Sequence, residues 1–131
     1  MPETTYRNRR AFSIENRALR VTVLAEGGHV AEILHKPTGV NPLWTPPWPS
    51  IEPSTYDRRK HPWYGSDAES KLLAGIMGHN LCMDIFGGAS DAEAAAGLTV
   101  HGEASVARYE ITGSQTELVA RAEFPQSQLR F

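Results

Sequence analysis

Leu19-Arg20-Val21-Thr22-Val23-Leu24 decides the reading of the fold, because its apolar and polar residues alternate with the period of two that belongs to an extended strand. Leu19, Val21 and Val23 share one face and Arg20 and Thr22 the other, so the segment reads as a half-buried strand. Gly27-Gly28 marks a turn, and a second apolar stretch at 30–34 runs into Lys36-Pro37-Thr38-Gly39, whose Pro and Gly suit another turn. Two strands joined this closely form a hairpin. The pattern returns in the last third. Ala107, Tyr109 and Ile111 alternate with Arg108 and Glu110; after Gly113-Ser114-Gln115, residues Leu118, Ala120, Ala122 and Phe124 alternate with Arg121 and Glu123, which predicts a second hairpin.

Outward from these strands the signals are weaker. Residues 1–11 carry Arg7, Arg9 and Arg10 among polar neighbours without periodicity and read as a polar N-terminal tail or an edge strand, leaving 12–131 as one domain. Residues 72–77 are a short buried segment of either type. Ser90-Asp91-Ala92-Glu93 matches a capping box, and Gly97 follows Ala94, Ala95 and Ala96, so a two-turn surface helix is expected there. The fold class is all-β, mainly antiparallel, with one short surface helix. Between 41 and 67, Pro42, Pro46, Pro47, Pro49, Pro53 and Pro62 alternate with Trp44, Trp48, Tyr56, Trp63 and Tyr64. That proline density excludes regular structure, while the aromatic content argues for order. The stretch is either a functional loop or an aromatic lid over the core.

The chain has 131 residues, 40% of them hydrophobic, and a formal charge of -2 from 13 Lys and Arg against 15 Asp and Glu. No basic field exists to hold nucleic acid or an anionic bilayer, so neither is expected as a partner. No apolar run approaches the roughly 18 to 20 residues of a membrane span, and residues 1–10 lack the apolar stretch of a signal peptide, which predicts a cytoplasmic protein. A single Cys82 excludes an intrachain disulfide framework and a multi-thiolate zinc site; its neighbours Leu81, Met83 and Ile85 make it a packing residue.

Acid–base chemistry near neutrality starts with the five histidines. His29 and His35, at strand ends beside turns, read as exposed or half-buried structural residues, and His61 lies in the Pro/Trp loop. His79 and His101 stand out because Gly78 and Gly102 adjoin them, where a missing side chain lets a ligand approach the backbone. On a strand, His101 and Glu103 would share a face as two metal ligands, but the rest of a ligand set is missing and no metal is expected. A phosphate loop, a nucleophile elbow and paired thiols are absent from the sequence. Arg58-Arg59-Lys60 suits a phosphate or a solvated loop.

The order of these segments resembles the N-terminal part of the galactose-mutarotase-like superfamily, the aldose 1-epimerases. The residues that carry the resemblance are the strand Leu19–Leu24, Gly27-Gly28-His29-Val30-Ala31-Glu32-Ile33, Pro42-Leu43-Trp44, Ala74-Gly75-Ile76-Met77-Gly78-His79-Asn80 and Leu98-Thr99-Val100-His101-Gly102. The resemblance implies an antiparallel β supersandwich. It also implies an enzyme that interconverts the α and β anomers of an aldose by general acid–base ring opening, without a cofactor. It places on His101 the family histidine that binds or protonates the sugar, with His79, Asn80, Glu103 and Trp44 as substrate-binding candidates. His79 stands where the family commonly has Arg, and Glu103 where it has Gly. The family's second histidine and its Glu base come later in its sequence, so the chain is expected to be an N-terminal portion of a truncated sandwich, inactive by itself and able to self-associate through open strand edges. A free aldose or a sugar phosphate is the expected partner. A carbohydrate-binding β-sandwich without catalysis is the alternative, and a purely structural β domain the third possibility.

Overall fold

The computed structural model describes residues 3–131, so residues 1 and 2 of the N-terminal tail reading lie outside the described residues. Its strands are antiparallel throughout and its helices few and short. Four strands form one sheet in chain order: β1 (Glu3–Tyr6), β2 (Arg9–Glu15), β3 (Leu19–Leu24) and β4 (Val30–His35). The β3–β4 hairpin is present, with a bulge between Thr22 and Val23, so that Thr22 faces Glu32 and Val23 faces Val30. Residues 3–6 make an edge strand whose turn to β2 uses Arg7 and Asn8, both at positive φ. The arginine cluster is not a solvated run. Arg10 pairs with Glu3 on the surface, whereas Arg9 is fully buried.

The polar face of β3 is closed too. Thr22 and Glu32 are buried, and Arg20 forks onto Glu32 through Nε (2.8 Å) and Nη2 (3.0 Å) while the Thr22 hydroxyl donates to the same carboxylate at 3.0 Å. Arg20 holds the Glu32 carboxyl below its ordinary range. Alternation grouped the residues by face but not by burial: Leu19 is exposed, whereas the Arg20–Thr22–Leu24 face carries buried Thr22 and the core residue Leu24, because a polar face becomes interior once its groups satisfy one another.

Two short helices follow, α1 (Ser70–Gly75) and α2 (Asp91–Ala95), besides single 3-10 turns at Pro53–Thr55 and Pro62–Tyr64. The ambiguous 72–77 stretch is therefore helical as far as Gly75, with Leu72 and Ala74 buried. Helix α2 has the expected capping box and no buried residue. The second hairpin forms between β5 (Glu110–Gly113) and β6 (Leu118–Arg121), with Ile111 opposite Ala120. Its second strand ends sooner than expected. Ala122 exchanges backbone hydrogen bonds with Phe131, and β7 (Glu123–Phe124) pairs instead with β8 (Leu129–Arg130).

The apolar core is divided. Ala11, Leu24, Ala31 and Met77 form one cluster against the sheet, and Ala104, Tyr109, Ala122 and Phe124 a second, with Leu81 and Met83 packed against it. Between the elements lies a buried polar node. Arg9 donates from Nε to Glu52 (2.9 Å), from Nη1 to Ser50 (3.2 Å) and to the Gly75 carbonyl (2.6 Å), and from Nη2 to the Glu26 carbonyl (2.9 Å). One guanidinium thus joins β2, the turn after β3, the Pro/Trp loop and the end of α1. Glu26 adds to the node by accepting from the Ser54 N–H and hydroxyl.

His29 sits beside this node, fully buried, not exposed or half-buried as its place beside a turn suggested. Its Nε2 lies 2.9 Å from the Ser105 carbonyl, and burial, with Arg9 nearby, pushes its pKa down to about 4. The unfolded chain therefore takes up a proton near pH 6.5 that the folded chain refuses until about 4, so stability falls as pH drops through that window. The expected loss is about 3 kcal/mol between pH 6.5 and 4. Urea titrations at a series of pH values check it, and the slope between 6.5 and 4.5 should flatten in His29→Gln; an unchanged slope would assign the effect to other groups.

Among the described residues no helix is long and apolar enough to cross a membrane.

Candidate functional site

The segment from Gly78 to Gly88 carries His79 and Asn80 and meets Trp44 and His101, and two glycines, Gly78 and Gly102, set how the chain packs around it. Gly78 is at φ +60°, and a Cβ there would fall on the Val30 carbonyl oxygen. Its absence lets His79 pair with the start of β4, exchanging N–H···O bonds of 3.0 and 2.9 Å with Val30. Gly102 is at φ +81°, and a Cβ there would fall on the Met83 carbonyl. That close approach brings the chain around His101 against 83–87.

His101 lies on a turn, itself at φ +67°, and not on a strand. The rule that residues two apart share a face therefore does not apply to His101 and Glu103, and the two side chains serve different partners. Glu103 accepts from the Gln126 N–H (3.1 Å), the Ser127 N–H (2.8 Å) and the Ser127 hydroxyl (2.9 Å), which ties the 125–128 turn to the second cluster. Both its oxygens are committed within the fold.

The imidazole of His101 is fixed at one nitrogen. Gly87 N–H donates to Nδ1 at 3.1 Å, and the His101 N–H donates back to the Gly87 carbonyl at 3.0 Å. An Nδ1 that accepts carries no proton, so the neutral ring holds its hydrogen on Nε2 and presents a donor. The residue is half-buried, and the Phe86 ring lies 5.5 Å away at 39°. Phe86 is 91% exposed, which makes it a bare ring face next to a donor. Sequence reasoning missed it; the signal was a lone aromatic directly before Gly87-Gly88.

Trp44 and His79 come together through the backbone, since the Gly78 N–H donates to the Trp44 carbonyl at 2.8 Å. The Trp44 ring, half exposed, packs edge-on against Trp48 at 5.7 Å. His79 is exposed, and the adjacent Asn80 has a buried Nδ2 with no hydrogen-bond partner. Among the described residues no hydrogen bond or ring contact links His101 to His79 or Trp44. The structure thus assembles the candidates as two groups, one at each end of 78–88, with Glu103 apart from both.

No family model, curated protein or solved structure matches this chain. The site is read from its own geometry. Among the described residues no three His, Cys, Asp or Glu side chains gather into a set of metal ligands. His35 hydrogen-bonds Thr38 in its turn, and Cys82 is a half-buried free thiol. What the 78–101 region offers chemically is an oriented neutral N–H donor beside an open aromatic face; the unpartnered Asn80 Nδ2 on the same segment is buried.

Proposed function

We propose that this chain contributes part of a sugar site of aldose 1-epimerase type, on a sandwich of the galactose-mutarotase-like kind, where an aldose or sugar phosphate is bound and its anomers are interconverted. The observation that carries the reading is His101, with Nδ1 pinned by Gly87 and Nε2 left as a donor next to the exposed Phe86 ring. A pyranose has an apolar C–H face to lie on Phe86 and a ring oxygen to accept from Nε2.

In ring opening, a base removes the proton of the anomeric hydroxyl, the C1=O bond forms, and the C1–O5 bond breaks with its electron pair going to O5. A donor at O5 stabilises the charge developing there, rotation about C1–C2 presents the other aldehyde face, and the reverse transfers close the ring. His101 acts at O5 as a neutral hydrogen-bond donor; its proton arrangement suits polarisation of that oxygen better than full protonation of it. The base is not Glu103, whose oxygens hold the 125–128 turn. His79, Asn80 and Trp44, grouped at the other end of 78–88, are assigned to the part of the substrate beyond the pyranose that His101 meets. A cytoplasmic location is part of this proposal, and the outer edge of β1 is the place for self-association.

The test is proton NMR of the chain with free and phosphorylated aldoses, following anomeric resonances by saturation transfer. Saturable shifts at His101 and Phe86 are expected of the sugar site, and faster exchange between anomers only where the missing base is supplied along with the chain. Shifts without faster exchange, once a base is supplied along with the chain, favour the sugar-binding alternative, and no shift at either residue overturns the reading.

A further inference from the structure

We propose that the aromatic pocket between the Pro/Trp loop and α1 binds a small organic anion built on a flat apolar ring. This site is separate from His101 and stands whatever the sugar reading's outcome. Trp48, Pro49, Trp63, Tyr64 and Leu73 line a cavity of about 500 Å³, within the range of small-molecule pockets. The polar tips of two of its rings are committed to backbone: Trp48 Nε1 donates to the Leu73 carbonyl at 3.1 Å, and the Tyr64 hydroxyl donates to the Pro49 carbonyl. These bonds fix the rings. A pyranose would meet few partners for its hydroxyls there, whereas a flat apolar ring would lose nothing on entering.

Charge on the adjoining turn selects among apolar rings. The turn preceding the pocket carries Arg58, Arg59 and Lys60, all exposed and, among the described residues, none in an ion pair. The carboxylate of this turn, Asp57, accepts the backbone N–H groups of Arg59 (2.8 Å) and Lys60 (3.3 Å). His61 joins the turn to the pocket: its Nδ1 accepts from the Asp57 N–H at 3.1 Å, and its ring stands edge-on to Trp63 at 5.5 Å. Three cations on the turn that His61 ties to the Trp63 wall match a ligand whose ring enters the pocket while its phosphate, sulfonate or carboxylate reaches toward that turn.

The probe is 1-naphthyl phosphate, titrated into the full 131-residue chain while the indole N–H resonances of Trp48 and Trp63 are followed by NMR. Saturable shifts of both are expected. Neutral 1-naphthol should bind about tenfold more weakly, the scale that a few screened surface charges supply, and inorganic phosphate alone should leave the indoles unmoved. Trp63→Ala should weaken binding by at least about tenfold; Trp63 is 66% exposed, so the variant keeps the native melting curve. Replacing Arg58, Arg59 and Lys60 together by Ser should bring naphthyl phosphate down to the affinity of naphthol. Absence of saturable shifts up to roughly 1 mM probe, shifts caused equally by inorganic phosphate, or a triple variant that binds the anion undiminished would each overturn the proposal.

Discussion

Arg9→Ala should lower the free energy of unfolding by about 3 to 5 kcal/mol, the usual loss when one partner of a buried ion pair is removed. The guanidinium is fully buried, and Glu52, its carboxylate partner, has a side chain only 15% exposed. Truncation removes the cationic partner of Glu52, leaving it the Arg10 N–H, and strands the Gly75 and Glu26 carbonyls. Each stranded acceptor keeps its desolvation cost and loses its compensation. Against a total stability of about 5 to 15 kcal/mol for a domain, the loss is large enough to move a urea midpoint far or to leave the chain unfolded. Arg9→Lys should recover only part of it, because an ammonium cannot reproduce the guanidinium fork that reaches Glu52, Gly75 and Glu26 at once. A loss under about 1 kcal/mol in Arg9→Ala, the scale of an exposed pair, would mean that packing alone orders the Pro/Trp loop.

Where the missing base is supplied along with the chain, His101→Ala should slow protein-dependent anomer exchange by about 10² to 10³-fold, the range for removal of one oriented donor from a developing oxyanion. The argument rests on the ring's fixed proton. Because Gly87 N–H occupies Nδ1, the imidazole meets substrate only through Nε2–H, so the variant loses a transition-state contact and not merely bulk. The reduction should fall on kcat more than on KM. His101→Gln, which restores an amide donor at similar reach, should recover part of the rate. Equal rates for the wild-type protein and His101→Ala would remove His101 from the mechanism.

Much of the secondary structure was legible because it depends on local chemistry. The alternation at Leu19–Leu24, the Pro and Gly of the following turn, and the Ser90–Glu93 capping box each act within a few residues, and each element formed where its signal lay. Arg9 was illegible for the opposite reason. Its partners Glu52 and Gly75 lie 43 and 66 residues away, and nothing in a polar N-terminal run distinguishes an arginine that will be buried from one that stays solvated. His29 and Thr22 were misjudged in the same way, since tertiary packing buries them: His29 Nε2 meets the Ser105 carbonyl 76 residues on, and Thr22 bonds Ser13 and Glu32 on the flanking strands. For the site, glycines beside His79 and His101 marked positions of close backbone approach, and the structure has such approaches at Gly78 and Gly102. The pairing of His101 with Glu103 failed because it assumed a strand where positive φ at His101 makes a turn.

The most direct measurement is the tautomer and ligand response of the His101 ring, read from its two imidazole nitrogens by long-range proton–nitrogen NMR in the chain with and without an aldose. The account expects a neutral ring with its proton on Nε2, Nδ1 unchanged by sugar, and an Nε2 resonance that moves as aldose is added. A ring protonated on Nδ1, or an Nε2 resonance indifferent to every aldose, would contradict it.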